Sequence, residues 1–187
     1  MLETLKAARR IGTLAAVAPH PAIRPLPGAA RFSLRFREEE AASLGQAAGF
    51  RLDQTLNSFT PQGQRLSVRL GPDEWLLIGP EADAEVIAGE IAAALGGRFH
   101  ALVDIGHRNV AIEVEGPHAA DTLNAGCPLD LVDAAFPTGT ATRTLLGKAE
   151  IILLRLDNAP TYRLECWRSF STYVYDFLVE AARNSKP

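Results

Sequence analysis

Two hairpins constrain this chain more than any other feature. Leu66, Val68 and Leu70 alternate with Arg65, Ser67 and Arg69; after Gly71-Pro-Asp-Glu the run Trp75-Leu-Leu-Ile begins. Period-two alternation marks a strand with one buried face. A short link of Gly, Pro and Asp folds the next strand back beside it. Parallel neighbours would need a long crossover, so the pair is antiparallel. The device returns later. Thr142–Leu146 is followed by a Gly147-Lys148 turn, a strand over Glu150–Leu156, the turn Asp157-Asn-Ala-Pro160, and a strand in which Tyr162, Leu164 and Cys166 share a face.

Matching segments surround both hairpins. Phe32, Leu34 and Phe36 alternate as a strand that leads to a helix over Glu38–Ala48, with acidic residues in its first turn and Gly49 as its stop. A polar loop spans Asn57–Gly63. A helix over Ala82–Leu95 carries the stripe Ile87, Ile91 and Leu95 and ends at Gly96-Gly97, and Phe99–Ile105 forms a strand. In the second half Val110, Ile112 and Val114 alternate, and Gly116-Pro117 opens a helix that ends at Gly126. Ser169 is placed to cap a last helix, with Phe170, Tyr173, Val174, Phe177, Leu178 and Ala181 on one stripe.

Each half thus reads strand, helix, loop, strand, turn, strand, helix. The order predicts an α+β fold of two related ferredoxin-like halves, 31–105 and 106–183, with mainly antiparallel sheets and helices packed on them. Residues 1–30 lack a periodic pattern, and Pro19, Pro21, Pro25 and Pro27 forbid regular helix in their second half. They read as an extended arm laid on something, or as a frayed tail. Residues 184–187 read as a C-terminal tail.

Composition suits a folded core: 47% of the 187 residues are hydrophobic and 22% charged. A net charge of −3 creates no field that draws nucleic acid. No apolar run is long enough to span a membrane, and Ile151–Leu154 stops at Arg155. The start imitates a signal peptide badly: Glu3 lies in its charged region, Gly12 and Thr13 in its apolar stretch, and Pro19-His20-Pro21 after it. Cys127 and Cys166 form no CxxC pair. These features predict reduced thiols and a cytoplasmic location.

Chemistry is hard to find. Neither GxGxxG nor GxxxxGK[ST] occurs, and Pro117 deletes an amide from the helix start at Gly116-Pro117-His118. His20, His100, His107 and His118 lack metal-site spacing, so no metal or cofactor ligand set is expected. Cys127 sits at a helix C-terminus, where the dipole opposes a thiolate, and Cys166 reads as core. Asp104-Ile-Gly-His107-Arg108 joins the halves. It can bind an acidic substrate, or it can be a local hydrogen-bonding device that fixes the joint. No catalytic set can be assembled. Trp75 and Trp167 lie on hairpin strands, Trp167 with parity opposite to Tyr162, Leu164 and Cys166. An outward Trp is covered by the other half or by a partner. Pro19, Pro21, Pro25, Pro27, Trp75 and Trp167 are therefore the candidate partner interface.

Several segments carry a family resemblance: Leu70-Gly-Pro-Asp-Glu-Trp-Leu-Leu, Asp104-Ile-Gly-His-Arg, Gly116-Pro-His-Ala-Ala-Asp-Thr-Leu-Asn-Ala-Gly-Cys-Pro-Leu-Asp-Leu, the run from Phe136-Pro to Thr142-Arg-Thr-Leu-Leu-Gly-Lys-Ala-Glu, and Cys166-Trp-Arg-Ser-Phe. Together they resemble the γ subunit of heterotetrameric sarcosine oxidase over residues 31–183. The resemblance implies α, β and δ partner subunits. It also implies a complex that oxidatively demethylates sarcosine to glycine, with hydrogen peroxide and formaldehyde or methylenetetrahydrofolate as co-products. It places FAD, FMN and NAD in the two larger subunits and zinc in the smallest, with tetrahydrofolate as one-carbon acceptor. It implies no cofactor or catalytic residue in this chain. The fold is similar to that of folate-binding aminomethyltransferases such as the glycine-cleavage T-protein, which leaves a folate or one-carbon binding module as the alternative. Their acidic folate contact has no counterpart at Asn57-Ser58 or Asn124-Ala125.

Overall fold

The structure, a computed structural model, describes residues 19–184. In chain order the elements are β1 (Ile23–Pro25), β2 (Ala29–Phe36), α1 (Glu38–Leu44), β3 (Gln46–Ala47), β4 (Phe50–Arg51), β5 (Ser58–Gln62), β6 (Arg65–Gly71), β7 (Glu74–Pro80), α2 (Ala84–Leu95), β8 (His100–Asp104), β9 (Asn109–Glu115), α3 (Ala119–Asn124), β10 (Ala141–Leu146), β11 (Ala149–Arg155), β12 (Thr161–Trp167) and α4 (Ser171–Asn184).

Both hairpins form as their turns require. Gly71 pairs with Glu74 across the first, and Leu146 with Ala149 across the second. Three boundaries differ from expectation. Helix α1 stops four residues short of Ala48, because Gly45 takes φ +71° and its N–H closes onto Ala41 O. A left-handed residue of that kind is cheap only for glycine. The loop over 57–63 contains β5, an edge strand on which Pro61 faces solvent, as an edge tolerates. Helix α4 begins after a tight turn over Arg168–Phe170, so Ser169 is not its cap; Ser171 Oγ donates to Arg168 O at 2.7 Å. Its buried line runs through Val174, Tyr175, Leu178 and Ala181, leaving Phe170 and Tyr173 at the rim.

Two five-stranded antiparallel sheets carry the fold, in the orders β5-β6-β7-β2-β8 and β1-β9-β12-β11-β10. In the first, β2-α1-β6-β7-α2-β8 is a ferredoxin-like unit, with β5 added at the edge. In the second, β9-α3-β11-β12-α4 repeats that unit with β10 at the equivalent edge, and among the described residues no strand follows α4. Strand β1 takes the vacant position beside β9, with Ile23 opposite Val114 and Pro25 opposite Ile112. Within the stretch read as an extended arm, residues 23–25 lie on the second half as a strand: Ile23 is buried in its core, and Leu26 N–H donates to Ala111 O at 2.9 Å. Residues 1–18 of the expected arm and 185–187 of the expected tail lie outside the described residues.

Four layers result. Helices α1 and α2 bury one face of the first sheet, through Phe32, Leu34, Trp75, Leu77, Ile87 and Ile91. Helices α3 and α4 bury the outer face of the second, through Ile112, Leu153, Leu164, Val174 and Leu178. The inner faces meet through Val68, Leu76, Ile78, Ile105, Ile152 and Leu154. Ser58 also bridges Thr140, tying edge strand β5 to the entry of β10.

Candidate functional site

The seam between the sheets holds the most unusual chemistry. Arg31 on β2 and Glu165 on β12 are each 1% exposed, and Arg31 Nε donates to Glu165 Oε2 at 2.6 Å. Arg163 Nη2 donates to Glu165 Oε1 at 2.6 Å, so one buried carboxylate accepts from two guanidinium groups. A carboxylate removed from water is tolerated only when paired and hydrogen-bonded. This pair joins strands from the two halves. Alternation on its own assigns Arg31 and Glu165 to the polar faces of their strands. It cannot show that those two polar faces meet.

Farther along, Glu74 accepts from Arg143 Nη2 at 2.7 Å and pairs with Arg35 at 3.0 Å. The space left among these side chains is a cavity of about 40 Å³ lined by Ser33, Glu74, Ile105, Arg143 and Glu165, room for no more than a few waters.

The cluster Asp104-Ile-Gly-His107-Arg108 forms the joint itself. Asp104 Oδ1 accepts Gly106 N–H at 2.8 Å, Ile105 N–H donates to Arg31 O, and Arg168 Nε donates to His107 O at 3.0 Å. Arg108 Nε donates to the Asn109 amide oxygen at 3.2 Å, with its guanidinium 5.5 Å from the Trp167 ring centre. These contacts fix the turn between β8 and β9, and they bring no nucleophile against a base. The other histidines are dispersed. His20 accepts Ala22 N–H at 3.2 Å, His100 contacts Arg98 O at 2.8 Å, and His118 faces Asp121 at 3.7 Å. Among the described residues no group of three or more His, Cys, Asp or Glu is placed to hold a metal ion.

Both thiols are buried. Burial first, then the neighbouring Glu165 charge, pushes the Cys166 thiol up to about 12, far from a reactive thiolate at neutral pH. Asn124, one of the two positions compared with a folate contact, ties down the loop after α3, where its amide donates to Leu129 O at 2.6 Å.

The candidate interface residues separate. Trp75 is removed from it: the ring is fully buried among Phe32, Phe50 and Ile91 in the first half, with the Arg69 guanidinium 5.3 Å from its centre. Its strand position points to the helix layer, so it has no surface to offer a partner. Pro25 pairs within the second sheet, while Pro19, Pro21 and Pro27 are exposed. Trp167 is 42% exposed, with Phe170 at 6.3 Å between ring centres.

Known proteins resemble most of this chain. The model of the sarcosine oxidase, gamma subunit family matches residues 37–184. The chain is 33% identical over 150 residues to a sarcosine oxidase subunit gamma of Arthrobacter sp, covering 80% of this chain and 68% of that one. With the subunit gamma of Corynebacterium sp. strain P-1 it shares 32% over 167 residues, covering 89% and 76%. Among solved structures, a chain of the heterotetrameric sarcosine oxidase from Corynebacterium sp. U-96, in complex with pyrrole 2-carboxylate, matches with TM-score 0.76 at 23% identity, over 88% of this chain and 85% of that one. The glycine cleavage system aminomethyltransferase T from Bartonella henselae matches at 0.67 and 10% identity, over 86% of this chain and 46% of that one. At these identities the two structures establish likeness of fold.

Proposed function

The chain belongs to the sarcosine oxidase gamma subunit family, and on that premise we propose that it is a non-catalytic assembly subunit of a cytoplasmic heterotetrameric sarcosine oxidase. In this reading it holds α, β and δ chains together, and those chains carry FAD, FMN, NAD and zinc. They convert sarcosine to glycine with hydrogen peroxide and formaldehyde or methylenetetrahydrofolate.

One observation carries the reading. The inner sheet faces are spent on each other, sealed by the Arg31–Glu165 pair and the apolar seam around Ile152, with about 40 Å³ left between them. Ligand pockets occupy roughly 300–1,000 Å³. The same filled seam opposes the folate-binding alternative there. The wider groove beside β1, about 500 Å³ along Pro21, Gly116 and Pro160, is open and offers a folate's carboxylates only Glu115 for charge. Like charges repel.

The test is reconstitution. Omitting this chain should lower the yield of assembled complex. His107→Gln, which keeps hydrogen-bonding capacity but not titration near neutrality, should leave sarcosine turnover within a few-fold. Loss of roughly 100-fold with assembly intact would assign acid–base catalysis to the joint. Heat release when the isolated chain meets tetrahydrofolate would favour the alternative.

A further inference from the structure

The two five-stranded sheets have four edges, and among the described residues three of them are guarded. Edge strands β5 and β10 close onto each other: Phe59 N–H donates to Gly139 O at 3.0 Å and Ala141 N–H to Asn57 O at 2.9 Å. On β1, Glu115 N–H donates to Ala22 O and Leu26 N–H to Ala111 O, a phase that turns the main chain of Pro25 outward. Proline has no N–H, so that edge lacks a donor there. Proline and cover are usual protections of an edge. Strand β8 has neither. His100-Ala-Leu-Val-Asp104 ends the first sheet, carries no proline, lysine or arginine, and has no strand beyond it among the described residues.

The hydrogen-bond phase of β8 is set by Ile105 N–H, which donates to Arg31 O at 2.8 Å. Bonding alternates along an antiparallel pair, so Ala101 and Val103 bond inward, opposite Arg35 and Ser33. The main-chain groups of His100, Leu102 and Asp104 therefore point out from the edge. Apolar side chains beside it are uncovered: Phe99 is 81% exposed and Val103 54%. An edge of this kind is a template for another strand.

The sequence of β8 fits itself. Antiparallel pairing of two copies about Leu102 sets Leu102 opposite Leu102 and Ala101 opposite Val103. It sets the His100 imidazole opposite the Asp104 carboxylate at both ends. The outward groups at 100, 102 and 104 then face their counterparts in phase, and no like charges meet. Like charges directly opposite would destabilise such a pair. The contact is isologous, so it closes at two copies and does not propagate.

We propose that two copies of this chain associate through β8, joining their first sheets across a two-fold axis at Leu102. The pairing goes beyond the subunit reading and does not depend on it; in that reading it links two assemblies.

The experiment is sedimentation of the full chain, with the parent expected as a dimer at micromolar concentration. Ala101→Lys with Val103→Lys sets lysine opposite lysine on both sides of the axis and should weaken the dimer at least about 10-fold. Both positions are exposed, so this variant should melt like the parent. Cross-linking reads the register. Positions 101 and 103 of opposite copies form a non-hydrogen-bonded pair with Cα atoms about 4.5 Å apart, within disulfide reach. Like positions lie on the diagonal, about 7–8 Å apart. Mixed Ala101→Cys and Val103→Cys chains should therefore cross-link under mild oxidation, and either alone far less. The parent, with both cysteines buried, should not cross-link. A monomeric parent overturns the pairing and leaves the subunit reading standing. A dimer that the lysine variant leaves intact overturns it too, because the contact then lies elsewhere. If each cysteine variant cross-links alone as readily as the mixture, the two-fold at Leu102 is wrong. If the free chain stays single and Val103→Cys instead cross-links to a larger subunit on co-expression, the occupant is a partner strand and the proposal falls.

Discussion

The two halves of this chain build the same unit by different routes. The first half makes all four strands of its ferredoxin-like unit in sequence, ending on β8. In the second, the position beside β9 is filled by β1, which precedes the first half in sequence. Local contacts thus complete one unit. The other cannot close until the N-terminal segment returns to pair with β9 across a long sequence separation. Loop closure of that kind costs entropy that only later contacts repay. The first half should therefore hold together more independently than the second.

The largest test of that contrast is the seam itself. Glu165→Ala leaves Arg31 buried without its carboxylate, and breaking a buried pair costs about 3–5 kcal/mol, a large share of a domain's ~5–15 kcal/mol. Arg31→Met with Glu165→Leu removes both charges and should restore most of the loss in urea unfolding. The two tryptophans report separately, Trp75 from the core of the first half and Trp167 from the second. A single shared transition in the parent that splits in Glu165→Ala would show the halves unfolding apart. If Glu165→Ala melts like the parent, the pair does not hold the seam.

A smaller effect sharpens the comparison. Ile23→Ala removes the buried side chain of the borrowed strand and should cost about 2–4 kcal/mol. Leu102→Ala on β8, the equivalent strand of the first half, acts on a partly buried residue and should cost less. In hydrogen exchange, Ile23→Ala should raise the rates of β9 and β12 amides and spare β2 and β7. Equal acceleration in both sheets would mean that β1 stabilises the whole body and not the second unit alone.

The same contrast explains what is legible in the sequence. Hairpins, stripes and turn residues are local signals, so β6–β7, β10–β11 and the Ile87–Leu95 stripe stand where periodicity places them. Strand parity also puts Trp167 on the side opposite Cys166, as the fold has it. Strand β1 is unreadable because three residues among prolines carry no period, and its pairing is decided by a vacancy created far along the chain. Trp75 escapes its expected place at an interface for a related reason. In the run Trp75-Leu-Leu-Ile both faces are apolar, so alternation cannot say which face meets the helices. The buried Arg31 and Glu165 read as solvent-facing because polarity reports burial only when a single sheet is considered.

Alkaline pH gives the smallest effect, and it should fall on one half. Both cysteines and all three tyrosines follow residue 105, so the first half has neither thiol nor phenol to titrate. Burial raises Cys166 from 9.0 to about 12, and burial is also the first cause of the raised Tyr162 and Tyr175. Folding favours the protonated thiol, so its contribution is complete below pH 9. It is lost as pH rises from 9 towards 12, because over that range the unfolded chain ionises and the folded chain does not. A tenfold difference in ionisation is worth about 1.4 kcal/mol, so near pH 10 the second half should lose roughly 1 kcal/mol from this thiol. Trp167 fluorescence should move to lower urea midpoints between about pH 9 and 10.5 while Trp75 lags behind it. Cys166→Ala should lower stability at neutral pH and flatten the alkaline slope. If both tryptophans shift together at every pH, the halves are a single cooperative unit, and β1 closes the molecule rather than one end of it.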